Sequence, residues 1–89
     1  MKRWVSDNSL YQLMFELGYD EECVLKFTID EYDDTFYWYC SPLLQVEHDC
    51  IITDSIEEAM REFECMVRAH LEDEIAYWKM LLKKWDEED

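Results

Sequence analysis

Two histidines, four cysteines and 23 carboxylates are the side chains in this sequence of 89 residues that could carry chemistry. General acid–base catalysis at neutral pH draws first on histidine, and the chain offers only His48 and His70. Cys23, Cys40, Cys50 and Cys65 lie 17, 10 and 15 positions apart, so no C-x-x-C pair starts a zinc site or a redox motif. Nothing around any of them marks a nucleophile. Two disulfides would suit a secreted domain, but Met1-Lys2-Arg3-Trp4-Val5-Ser6-Asp7-Asn8 turns polar at once instead of entering an apolar signal segment. Free thiols acting as small hydrophobes in a reducing cytoplasm are the simpler expectation. Loops that cradle phosphate need several glycines, and Gly18 stands alone.

The carboxylates are the more informative set. Asp30-Glu31-Tyr32-Asp33-Asp34 crowds four of them near one turn, but their spacing is not that of an EF-hand loop and the loop's turn glycine is absent. A solvated, charged turn is expected there, with no bound metal and no cofactor. A glycosidase pair would need a deep cleft that so small a domain can hardly enclose. Against the 23 acids stand 8 Lys and Arg, for a net charge of −15. Direct nucleic-acid binding is disfavoured, because it requires clustered cations. Anionic membrane surfaces repel the chain too, and no apolar run approaches the roughly 18 residues of a spanning helix. Solubility asks for a net charge of only about 2–8 in a small domain, so the excess invites a functional explanation. Hydrophobic residues make up 49% of the chain, enough for a compact core beneath that anionic surface.

The elements that must position these residues follow from periodicity and punctuation. One glycine and one proline leave no visible linker, so residues 1–89 read as one domain. Leu10, Leu13, Met14 and Leu17 sit at helical spacing after Asp7-Asn8-Ser9, with Gly18 as a left-handed stop, which predicts a first helix over Asp7–Leu17. Leu25, Phe27 and Ile29 alternate with polar residues in a strand within Cys23–Tyr32. A hairpin through Asp33-Asp34 leads to a second strand, Thr35–Cys40. Pairing Tyr32 with Thr35 sets Ile29 opposite Trp38 and Phe27 opposite Cys40. Tyr37 and Tyr39 then fall on the other face, covered by the first helix or free to meet a partner. A third strand lies within Leu44–Thr53. Ser55-Ile56-Glu57-Glu58 has the form of a capping box and opens a helix. Its apolar stripe, Ile56, Ala59, Met60, Phe63, Val67 and Leu71, passes at Leu71 into a second one, Leu71, Ile75, Trp78, Leu82 and Trp85, with a one-position phase shift near Glu72-Asp73-Glu74 that allows a bend or break. The expected fold is therefore α+β: a helix, a three-stranded antiparallel sheet, then one long or two shorter C-terminal helices.

That order of elements, in an acidic chain of this length, resembles the small phage-encoded type II anti-CRISPR proteins, and in charge it is similar to the Cas9 inhibitors that act as DNA mimics. The resemblance rests on topology and charge over the whole chain, without a motif that aligns residue by residue. It implies a non-enzymatic inhibitor in the bacterial cytoplasm whose carboxylates occupy the basic site that reads the protospacer-adjacent motif. The residues expected to meet such a basic, nucleic-acid-binding partner are Asp20, Glu21, Glu22, Asp30, Glu31, Asp33, Asp34, Glu72, Asp73 and Glu74, chosen by acidic clustering alone. The alternative is an acidic interaction module or self-associating adaptor, monomer or homodimer, that docks through Trp78, Leu82 and Trp85 of its C-terminal amphipathic helix. A small enzyme is the third class, for which the sequence provides no motif.

Overall fold

A computed structural model describes residues 1–88, and of Leu17 the backbone alone; Asp89, the end of the acidic tail, lies outside the described residues. Five strands precede a single helix: β1 (Lys2–Asp7), β2 (Leu10–Leu17), β3 (Asp20–Ile29), β4 (Phe36–Ser41), β5 (Val46–Ile52) and α1 (Ile56–Glu87). The strands form one antiparallel meander in chain order, β1-β2-β3-β4-β5.

The expected first helix is absent, and with it the three-stranded layout. Residues 2–17 form a hairpin that adds two strands to the sheet. The same residues that imitate helix punctuation serve as turns. Asn8 takes φ 58° between β1 and β2, and Gly18 takes φ 65° between β2 and β3. Asn and Gly reach the left-handed region with little strain, at a hairpin tip as well as at a helix end. Within β2 the apolar residues divide between the two faces, so Tyr11 and Leu13 pack into the core while Leu10 and Gln12 point away. Cross-strand pairing to β3 overrode the local helical spacing.

The β3–β4 register also differs from the expected one, by a single residue. Phe27 pairs with Tyr39 and Ile29 with Tyr37, while Trp38 lies opposite Thr28 and Cys40 opposite Lys26. Moving the register by one exchanges the two faces of a strand. Tyr37 and Tyr39 are therefore core residues, 2% and 6% exposed, lying under α1 and unavailable to a partner. The reason is the turn: the connection is longer than expected, with Asp30 N–H bonded to the Phe36 carbonyl at 2.9 Å across the loop.

α1 covers one face of this sheet. Phe63, fully buried, meets Phe27 at 5.0 Å and Tyr39 at 5.0 Å between ring centroids, and Ala59 lets the helix approach closely. Leu13 and Leu25 complete the core, flanked by Trp4, Tyr11, Ile29 and Ile51. Ser55 caps the helix, its Oγ accepting from the Glu58 amide at 3.2 Å. Glu58 does not close a full capping box; its carboxylate accepts instead from the Thr53 hydroxyl at 2.7 Å. The helix runs unbroken through Glu72-Asp73-Glu74, so the phase shift in the apolar stripe changes which way side chains face without interrupting the helix.

Candidate functional site

One hydrogen bond and one ion pair fix the direction of α1 over the sheet. Thr53 N–H donates to the Thr35 carbonyl at 3.0 Å, holding the helix entrance beside the β3–β4 loop. Eleven positions on, Lys2 Nζ lies 3.2 Å from Glu64, and Lys2 pairs with Phe15 near the opposite end of the sheet. From Met66 and Val67, the last helix residues packed on the core, the helix continues past that end. A helix of 32 residues is about 48 Å long, well beyond the span of its sheet contacts. The molecule accordingly measures 59 × 29 × 20 Å.

Every described residue from Leu71 to Glu88 is exposed. Eight of them are large apolar side chains, Leu71, Ile75, Tyr77, Trp78, Met80, Leu81, Leu82 and Trp85, each between 43% and 74% exposed. Scattered single hydrophobics on a surface are ordinary, but a run of eight large apolar side chains along one helix is not. Fully burying one such side chain is worth about 1.5–3 kcal/mol, so the segment holds a substantial unused driving force. Local bonds support the helix without covering it. Arg68 Nε donates to Glu72 at 2.9 Å, Trp78 Nε1 to Glu74 at 3.2 Å, and His70 lies 3.7 Å from Glu74. Such pairs contribute only about 0.2–0.5 kcal/mol each on an exposed helix.

The acidic residues singled out from the sequence fall in three places, the two ends of β3 and the projecting helix. Asp20, Glu21 and Glu22 open β3 and Asp30 follows its last residue, so the first two acidic groups stand at opposite ends of one strand. A strand of 10 residues spans about 33 Å. Glu72, Asp73 and Glu74 belong to the projecting helix. Two of the ten already have cationic neighbours within the chain. Arg3 donates to Glu21 from Nε at 2.8 Å and again from its Nη2, and Arg68 holds Glu72. Asp20, Glu22, Glu31, Asp34 and Asp73 are exposed.

Asp30 and Asp33 act on their own loop. Asp30 accepts from the Trp38 indole at 2.9 Å and from the Tyr32 and Asp33 amides at 2.9 and 3.0 Å. Asp33 accepts from the Thr35 hydroxyl and amide. These donors favour the ionised form: the Trp38 indole first, and then the loop amides, hold Asp30 below the usual carboxylate range, and Thr35 does the same for Asp33. The loop is a set of side-chain-to-backbone turns, and among the described residues no three potential ligands gather as a metal site would require.

The sheet face opposite α1 forms a second surface. Trp38 stacks on His48 at 4.9 Å with the rings nearly parallel, and a cleft of about 190 Å³ beside them is lined by Lys26, Cys40, Glu47 and His48 among others. Cys40 and His48 share the cleft, but no hydrogen bond joins the thiol to the imidazole among the described residues, so the pair lacks the contact that activates a cysteine. All four cysteines are free thiols, Cys65 exposed and the others half-buried.

Compared with protein-family models, with curated proteins and with solved structures, the chain matches none. Its chemistry has to be read from its own surfaces, and among these the projecting helix departs furthest from what a lone chain in water would keep. The sequence signal for it was the second apolar stripe, displaced by one position from the first. No helix of the described residues is long and apolar enough to cross a membrane.

Proposed function

We propose that the protein is a non-enzymatic interaction module whose docking surface is the projecting half of α1, Leu71–Glu88. One observation carries this reading: the sheet uses the helix only as far as Val67, yet the helix goes on, with eight large apolar side chains held open to solvent. An isolated helix of this length gains little from propensity alone, and its apolar face is stabilised when a partner covers it. Trp78, Leu82 and Trp85 supply the kind of anchor that dominates helix-mediated interfaces. Free thiols fit a reducing site of action such as the cytoplasm.

The test is chemical cross-linking of the full chain in its native cells. The wild type is expected in an assembly cross-linked through residues 71–88, and the Trp78→Glu/Leu82→Glu variant is expected alone. A wild type recovered alone, or a variant recovered in the same assembly, contradicts the reading.

A second reading is supported by the charge of −15 and by the exposed carboxylates of Asp20, Glu22, Glu31, Asp34 and Asp73: an acidic inhibitor that occupies the DNA-binding site of a CRISPR effector such as Cas9. It predicts inhibition that weakens steeply with salt and is lost on charge reversal of Asp33, Asp34, Asp73 and Glu74. Inhibition unchanged by either treatment removes it. The separation of the acidic groups along β3 makes it the weaker of the two.

A further inference from the structure

The projecting helix carries its own indication of what covers it. Leu71, Trp78 and Trp85 recur at intervals of seven, with Ile75 and Leu82 between them, which is the spacing of a two-helix seam. The one-position shift from the Phe63 stripe turns this seam about 100° around the helix axis, away from the sheet, so a second helix can approach without meeting the strands. Charge along the segment comes in blocks, with Asp86, Glu87 and Glu88 closing it. Glu72, Asp73 and Glu74 lie at its start and Lys79, Lys83 and Lys84 towards its end.

We infer that the occupant is a second copy of this chain, paired antiparallel through Arg68–Glu88. The inference rests on the docking role proposed above for this segment. In the antiparallel arrangement Ile75 packs against Trp78 of the second copy, Leu71 against its Leu82, and Arg68 over its Trp85, where a guanidinium on an indole face is favourable. Glu72 faces Lys79 of the second copy, and the symmetry makes this contact twice. The end of each helix reaches the level of Cys65–Arg68 in the other, where the core-packed stretch of α1 gives way to the exposed one. A parallel pair does the opposite at each point: it sets Arg68 against Arg68, lays the acidic starts side by side, and brings two strongly acidic sheet domains together. About 20 residues give a segment about 30 Å long, and pairing two of them buries on the order of 1,000 Å² or more, the size a specific interface requires.

Sedimentation equilibrium of the purified full chain, read with circular dichroism, tests this. The wild type is expected to be a dimer at micromolar concentrations, and Trp78→Glu a folded monomer. Glu72→Lys and Lys79→Glu are each expected to weaken dimerisation roughly tenfold, because each sets like charges opposite one another twice. The combined Glu72→Lys/Lys79→Glu variant restores wild-type affinity. These two positions are seven residues apart on one helix, too far to pair within a chain, so the rescue reports an intermolecular antiparallel contact. A wild type that stays monomeric at all concentrations overturns the second copy as occupant. The cross-linking in native cells separately decides whether the segment docks on another protein. A dimer in which the double variant loses as much as both single variants together, or an assembly larger than two, also overturns it.

Discussion

The two halves of α1 are one continuous helix in two different environments. In the first half, Ala59 and Phe63 are fully buried, with Met60, Met66 and Val67 partly buried beside them. In the second half, side chains of equal or greater apolar area are exposed. Backbone, helix propensity and charge density hardly differ between them. What differs is whether a sheet lies beneath. Stability therefore resides in the first half, and the second is where the proposed docking would take place.

Phe63→Ala should produce the largest effect on folding. It removes the ring that joins Phe27 and Tyr39, and in a domain of this size a loss of about 3–5 kcal/mol brings the chain close to unfolding, as thermal or urea denaturation will show. Ser55→Ala comes next, at about 1 kcal/mol, because the Glu58 amide loses its acceptor at the start of the packed half. Trp85→Ala sharpens the contrast: measured on dilute chain it should change folding stability by less than about 0.5 kcal/mol, yet light scattering should show loss of assembly. A large destabilisation of the dilute chain by Trp85→Ala would erase the distinction between the halves.

The sheet and its β3–β4 loop carry a pH dependence of their own. Tyr37 and Tyr39 are pushed above their ordinary values, chiefly by burial, with Asp34 adding to Tyr37 and Asp49 to Tyr39. Unfolding lets them ionise more readily, so their contribution is complete below about pH 10 and is lost as pH rises through the folded-state values. Asp30 and Asp33 are shifted down. Their contribution is present above about pH 4 and disappears as pH falls through the lowered values. Asp30→Asn should flatten the acid limb of a stability profile slightly and leave the alkaline limb unchanged.

The sequence revealed these regions unevenly. Ser55 and the long apolar stripe after it announced α1, because caps and helical periodicity are local signals. Alternation of Leu25, Phe27 and Ile29 likewise marked β3. Leu10, Leu13 and Met14 misled, since their spacing suits a helix while their actual environment is set by β1 and β3, distant in sequence or not yet identified as strands. Gly18 was legible as a left-handed position but not as a hairpin tip, and Asn8, read as part of a helix start, was legible as neither. The faces of Tyr37 and Trp38 depended on the length of the 30–35 loop, where Asp30 and Asp33 bind backbone amides, and a one-residue difference in register inverted them. For the site, the stripe of Leu71, Trp78 and Trp85 could be read directly. Its exposure could not, because nothing in the residues says where the sheet ends.

Amide hydrogen exchange along α1, comparing wild type with Trp78→Glu/Leu82→Glu under conditions where the wild type is assembled, addresses the docking role most directly. Amides of residues 59–67 should exchange slowly in both proteins, and those of 71–85 should be slow in the wild type and fast in the variant. Equal exchange of residues 71–85 in the two would show that nothing docks there.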